Sequence, residues 1–301
     1  MISHWLLAAR PKTLIAALSP VAMATAMAIA DGGVHMLALA FALIGAISVQ
    51  IGTNFCNDYC DFFQGADTDD RKGPTRAVQA GLISPRAMLI ATILMFLITA
   101  IATCALAMRA GWPFLVIGAL SILFGVLYTA GKYSLAYQGL GDPFVLVFFG
   151  PVAVAGTYYV QTLQWNNLGA VAIAGLAPGL IATGLLVVNN LRDIDEDRAA
   201  SKRTLAVRYG ATFSRVQYTV CILGSACVPV MFAIMKGMPW VLLSSAILLP
   251  GAWVCRQVWV RNGSHLRPCL GMTAGLLLLF SILFCVGIGL EVRWNGLSVA
   301  S

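Results

Sequence analysis

The chain reads as an all-α, polytopic membrane protein of about nine transmembrane helices, and three observations lead there. Hydrophobic residues fill 59% of the 301 positions and charged residues only 10%, whereas soluble domains carry roughly 25% charge. Apolar runs near the ~20 residues needed to cross a bilayer recur along the whole length. None of them alternates polar with apolar residues in the manner of a barrel strand.

Taken in order, the apolar segments predict spans at 14–30, 36–56, 88–109, 112–130, 143–162, 167–189, 213–235, 239–256 and 269–290, all in one membrane domain covering 1–301. Residues 2–9, with Trp5, predict a segment lying along the membrane surface, and the first span is expected to be retained rather than cleaved as a leader. Most connections are tight. The two long ones, 57–87 and 190–212, are expected to form loops capping the same membrane face, and they carry almost all the polar chemistry.

Charge orients the bundle. With the N-terminus in the cytoplasm, sixteen of the nineteen Lys and Arg fall on that side, leaving only Arg109, Lys236 and Arg293 outside. That asymmetry predicts N-in, C-out. Of the acids only Asp31 and Glu291 fall outside. The net charge of +7 therefore follows from membrane insertion, needs no nucleic-acid partner, and makes the basic loops attractive to anionic membrane lipid. The eight cysteines read as small apolar residues without disulfides. Cys56 and Cys60 stand four apart, but His4, His35 and His265 are too distant in sequence to complete a zinc set.

Two stretches hold nine of the twelve acids. The first runs Asn54-Phe-Cys-Asn57-Asp58-Tyr-Cys-Asp61, then Asp67, Asp69 and Asp70, and ends in Arg71, Lys72 and Arg76. The second, at 189–203, runs Asn189-Asn-Leu-Arg-Asp193-Ile-Asp195-Glu196-Asp197 and ends in Lys202 and Arg203. Each places Asp four residues after Asn and another Asp three or four later, a spacing that shares one helix face. The repeat suggests an internal duplication. Brought together, the two faces predict a carboxylate-lined pocket with cations at its rim. Oxygen ligands without His or Cys select a hard ion, and Mg²⁺ commonly takes one or two carboxylates plus water and phosphate oxygens. Arg71, Lys72, Arg76, Lys202 and Arg203 offer charge-assisted donors to the same phosphates. A merely solvated loop explains Asp67, Asp69 and Asp70 equally well.

These residues carry a family resemblance. Asn57-Asp-Tyr-Cys-Asp61 with Gly65-Ala-Asp-Thr and Arg71-Lys-Gly-Pro-Thr-Arg76, and Asn189-Asn-Leu-Arg-Asp193-Ile-Asp-Glu-Asp197 with Lys202-Arg-Thr-Leu-Ala-Val, resemble the two motifs of the UbiA superfamily of intramembrane prenyltransferases. Arg10-Pro-Lys-Thr-Leu, Leu127-Tyr-Thr-Ala-Gly and Ala136-Tyr-Gln-Gly-Leu-Gly-Asp142 are similar to the branch acting on 1,4-dihydroxy-2-naphthoate. Two positions depart from it: Asp142 stands for Glu, and Lys132 follows Ala-Gly where Gly-Pro is usual.

The resemblance implies nine helices around a lipid-open cavity in a bacterial inner membrane, with the site open to the cytoplasm. It implies Mg²⁺ on Asp58, Asp61, Asp193 and Asp197, and a polyprenyl diphosphate met by Arg71, Lys72, Arg76, Lys202, Arg203, Tyr128 and Thr129. Asn54, Asn57 and Asn189 join the substrate-binding set, and Arg10, Lys12 or Lys132 would take the carboxylate of the aromatic acceptor. The implied reaction expels pyrophosphate and carbon dioxide and gives demethylmenaquinone. Phe148, Phe149, Tyr128, Tyr133, Tyr158 and Tyr159 are candidates to face an allylic cation, although ring packing explains such residues more often.

Other readings are a UbiA-type enzyme for 4-hydroxybenzoate, homogentisate, haem or chlorophyllide, or a cation-coupled transporter. Transport sites sit near the bilayer midplane on broken helices, whereas these acids stand at helix ends. A CDP-alcohol phosphotransferase is disfavoured by the absence of a D-x₂-D-G-x₂-A-R string.

Overall fold

Proline and glycine punctuate the helices of the computed structural model, which describes residues 2–63, 76–131 and 134–299. Pro11, Pro85 and Pro113 each occupy a first helical position, where the missing N–H is not needed. Ser84 and Thr204 cap the helices that follow them, accepting from the amides of Ala87 and Val207. The helices are α1 (Ile2–Ala9), α2 (Pro11–Ala30), α3 (Met36–Phe63), α4 (Pro85–Ala110), α5 (Pro113–Leu127) and α6 (Leu135–Gln138). They continue as α7 (Gly141–Thr162), α8 (Leu168–Arg192), α9 (Ile194–Ala199), α10 (Leu205–Lys236), α11 (Pro239–Val260) and α12 (Arg267–Val299).

No strand occurs among the described residues. Among the described residues eight helical segments are long and apolar enough to cross a membrane. The fourth expected span, 112–130, is the fifteen-residue helix α5, shorter than the ~20 residues of a straight crossing.

The sequence reading is corrected at the helix ends. The second span does not stop at 56 with a loop after it. Helix α3 runs to Phe63 and carries the whole Asn54–Asp61 motif in its last turns. Polarity ends a hydropathic run without ending a helix, and no Gly or Pro interrupts Asn54–Phe63. The second motif is likewise helical. Helix α8 ends at Arg192, Asp193 forms the corner, and α9 follows at once.

The main core joins α2, α7, α8, α10, α11 and α12 through Met23, Tyr158, Ile181, Ile222, Phe280 and their neighbours. A second cluster lies at the motif end. There Ala8, Ala9, Phe55, Ala77, Val78 and Met88 pack together, with the Trp5 and Phe55 rings 5.5 Å apart. This seats the surface helix α1 and the 77–82 turn against the last turns of α3. The outer flank of α4 leaves Ile90, Ile93, Leu97 and Ile101 exposed, as lipid contact requires.

Of the three acids outside the motifs, Asp142 accepts the Gln217 amide at 2.8 Å, and the other two are satisfied at the opposite end of the bundle. Asp31 accepts from the Tyr158 hydroxyl at 2.6 Å and from Asn167 at 2.8 Å, with Lys236 at 3.4 Å. Glu291 accepts the Trp240 amide at 2.6 Å.

Candidate active site

Asn54, Asn57, Asp58 and Asp61 fall at i, i+3, i+4 and i+7 on α3, so one face presents all four. Each has a distinct task. The Asn54 amide donates to the Ala9 carbonyl at 2.9 Å and to the Thr13 hydroxyl at 3.0 Å, and Gln50 donates to the same hydroxyl at 3.2 Å. These bonds fix the α1–α2 corner, where Arg10 adopts a left-handed conformation (φ 51). Asn57 accepts the Thr129 hydroxyl, so Thr129 is turned onto α3. Asp58 accepts the amides of Ala77 and Val78 at 3.1 and 3.4 Å, clamping the returning chain.

Asp61 joins the two motifs. Its Oδ2 meets Arg76 Nη2 at 2.7 Å and its Oδ1 meets Lys202 Nζ at 3.2 Å. Lys202 reaches this point because its own amide donates to the Asp197 carbonyl, and the Asp197 amide to the Asp193 carbonyl, both at 2.8 Å. The Lys202 ammonium also lies 5.1 Å from the centre of the Tyr137 ring. Burial, then the charges of Asp61 and Asp197, push the Tyr137 phenol above its usual pKa, so it stays a neutral hydroxyl near pH 7. The 203 amide donates to the Tyr137 carbonyl. Gly139 (φ 69) lets this crossing close, because a Cβ there would lie 2.7 Å from the Arg203 carbonyl oxygen.

Beneath these contacts lies a cavity of about 540 Å³. Arg10, Lys12, Arg76 and Arg192 stand in its wall, with Asn54, Asn57, Asn189 and Tyr128 between them. Deeper, the lining turns apolar through Phe124, Phe144, Phe148 and Phe149. The Phe124 ring is 4.4 Å from that of Phe144 and 5.4 Å from that of Phe148. A charged mouth over an aromatic floor suits an anion that carries an apolar chain.

The expected carboxylate-lined pocket is therefore corrected. Of the four motif aspartates only Asp58 lines the cavity. Asp61 is held by its two cations, and Asp193 is gripped by Arg192 through two contacts of 2.5 Å. Arg203 is exposed and, like Lys202, Thr129 and Asp197, lies outside the lining. Arg71, Lys72, Lys132, Tyr133, Asp67, Asp69 and Asp70 lie outside the described residues. Tyr158 belongs to the Asp31 cluster at the far end, and Tyr159 stacks there on Phe114.

Sequence reasoning missed Gln50, Thr13, Tyr137 and Arg192. Of these only Arg192 carried a usable mark, standing one turn after Asn189 on the same face.

For a divalent ion the donors fit in kind. The motif side chains offer carboxylate and amide oxygens. Among the described residues no group of three or more His, Cys, Asp or Glu lies close enough together to hold a metal alone. Such a set suits Mg²⁺, which keeps waters and takes phosphate oxygens from its substrate.

Fold and site together define a membrane-embedded helical protein with a cavity that is cationic at one end and aromatic at the other. The model of the UbiA prenyltransferase family matches residues 17–277, and the chain belongs to that family. It is an integral membrane protein. It is 37% identical to a 1,4-dihydroxy-2-naphthoate octaprenyltransferase of Escherichia coli (strain K12), covering 96% of each chain. It is 38% identical to the protein of that name from Mycobacterium tuberculosis (strain ATCC 25618 / H37Rv), covering 93% of this chain and 94% of the relative. Among solved structures, a UbiA homologue from Aeropyrum pernix K1 matches with a TM-score of 0.72 at 12% identity, covering 92% of this chain and 98% of the other. A UbiA homologue from Archaeoglobus fulgidus bound to GPP and Mg²⁺ matches with a TM-score of 0.66 at 15% identity, covering 96% and 99%. These distant structures bear on the fold alone.

Proposed function

We propose that the protein transfers a polyprenyl chain from polyprenyl diphosphate to 1,4-dihydroxy-2-naphthoate, releasing pyrophosphate and carbon dioxide. The observation that carries this reading is the meeting of the two motifs, through Arg76, Asp61 and Lys202, over a cavity cationic above and aromatic below. The acceptor follows from the names of the relatives at 37–38% identity.

In this reading Asp58, Asp61, Asp193 and Asp197 hold Mg²⁺, which when bound supplies Lewis-acid neutralisation of the diphosphate. Arg10, Arg76 and Lys202 bind the diphosphate oxygens and favour the charge that builds as the allylic C–O bond breaks. The electron pair of that bond leaves with pyrophosphate. The aromatic floor formed by Phe124, Phe144 and Phe148 excludes water and offers ring faces to the allylic cation. Ring carbon 2 of the acceptor, made electron-rich by the neighbouring hydroxyl, then bonds to the prenyl carbon. Its bond to the carboxylate breaks, carbon dioxide leaves, and the electron pair restores the aromatic ring. The product is the quinol form of demethylmenaquinone. The site faces the cytoplasm of a bacterial inner membrane.

Purified protein supplied with Mg²⁺, a polyprenyl diphosphate and carboxyl-labelled acceptor should release one labelled carbon dioxide per pyrophosphate. Release should stop on chelation of the metal. A prenylated product that keeps the label would instead indicate a hydroxybenzoate-type transfer, and no pyrophosphate release at all would remove the enzyme reading.

A further inference from the structure

Arg192 closes α8, and its guanidinium is the most deeply buried of the cations paired at the site. Its side chain is 1% exposed, against 10% for Arg76 and 14% for Lys202. Nε and Nη2 donate to the two oxygens of Asp193. Nη1 is buried and has no partner among the described residues. Guanidinium cannot shed its charge, and it presents five N–H donors in a rigid fork. Leaving part of that fork unmatched away from water costs more than one ordinary hydrogen bond contributes.

The residue also lines the cavity, one turn beyond Asn189 and beside apolar Leu185 and Leu186. The one carboxylate among the described lining, Asp58, already accepts the amides of Ala77 and Val78. Nothing in the described wall answers Nη1.

We infer that Arg192 is a two-sided anion clamp: Nε and Nη2 fix the orientation of Asp193 while Nη1 donates to an anionic oxygen, phosphate or carboxylate, of the ligand in the cavity. The inference rests on the prenyl-transfer reading for the two anions it considers, the donor diphosphate and the acceptor carboxylate. It makes Arg192 both a ligand-binding residue and a positioning residue for Asp193.

The test is equilibrium binding without turnover, on the full chain in neutral-lipid nanodiscs. Three probes are titrated separately: inorganic pyrophosphate with Mg²⁺, 1-hydroxy-2-naphthoate, and 1-naphthol, which lacks the carboxylate. Arg192→Gln should weaken one of the two anions about ten-fold or more, as loss of a charge-assisted bond does, and leave 1-naphthol within about two-fold. Weaker pyrophosphate binding assigns Nη1 to the donor; weaker hydroxynaphthoate binding assigns it to the acceptor. Arg192→Lys should fall between wild type and Arg192→Gln, because one ammonium cannot serve Asp193 and the ligand together.

If Arg192→Gln does not fold, Arg192→Lys decides alone, since it keeps a charge beside Asp193. Unchanged binding of both anions by the folded variants overturns the clamp. So does parallel loss of all three probes, which would make Arg192 a structural residue only. A wild-type protein that binds neither anion would remove the prenyl-transfer reading and the clamp with it.

Discussion

Asp58 and Asp61 stand one helical turn apart on one face of α3, yet the fold gives them different work. Asp58 clamps two backbone amides of the returning chain, whereas Asp61 collects one cation from each motif. Asp58→Asn should therefore lower turnover by about 100-fold or more, as loss of a preorganised charge at a reacting group does. It should also cost about 1–2 kcal/mol of stability through the weakened clamp. Pyrophosphate release and thermal unfolding of the same preparation check the two parts, and near-normal turnover would remove Asp58 from the metal set.

Lys202→Ala leaves Asp61 paired with Arg76, so the fold should persist. The KM for the prenyl donor should rise about ten-fold while kcat changes less, the pattern of a lost binding contact. A fall in kcat at unchanged KM would assign Lys202 to the transition state instead. At this scale the acids and cations were legible, because hard-ion chemistry restricts residue type and helical spacing restricts which residues share a face. Their partners were not. Nothing in sequence joins Asn57 to Thr129 or turns Arg192 onto its own neighbour, since both depend on how helices and corners pack.

At the scale of the element, the apolar spans were legible and their ends were not. Hydropathy registers where a helix leaves lipid, whereas a polar stretch free of Gly and Pro can stay helical, so α3 runs on to Phe63, past the expected end at 56, and carries the motif with it. Where α7 crosses α8, the sequence shows glycines but not their contacts. Gly150 sits at a kink in α7 with φ −114 and ψ −114, directly against Gly175 and Gly179 of α8. A Cβ on Gly179 would lie 2.4 Å from the Leu146 carbonyl oxygen, a backbone atom that cannot move alone. Gly179→Ala should accordingly cost about 1–3 kcal/mol by overpacking. On the same helix, a Cβ on Gly169 would meet nothing within 4 Å. Gly169→Ala should be neutral or slightly stabilising through helix propensity. Paired thermal unfolding in one detergent measures both, and equal effects would refute a packing role for the α7–α8 crossing.

Across the whole molecule, the division of Lys and Arg in the sequence proposes a cytoplasmic motif end. The motif end gathers Arg10, Arg76, Lys202 and the paired aspartates, while the far end closes on Asp31 with Tyr158, Asn167 and Lys236. Inserting the bundle the other way would carry most of the basic residues across the membrane, which the positive-inside bias opposes. The exposed residues Ala199, at the end of α9, and Asn166, in the turn before α8, mark the two ends. A membrane-impermeant thiol reagent applied from outside to intact, outer-membrane-permeabilised cells should label Asn166→Cys and spare Ala199→Cys. Inside-out vesicles should give the reverse. Native cysteines are replaced first, because Cys104 and Cys227 are exposed and would give background. Labelling of Ala199→Cys from outside would invert the bundle, put the diphosphate site on the face away from cytoplasmic substrates, and force the cytoplasmic part of the proposal to be withdrawn while leaving the chemistry of the cavity unchanged.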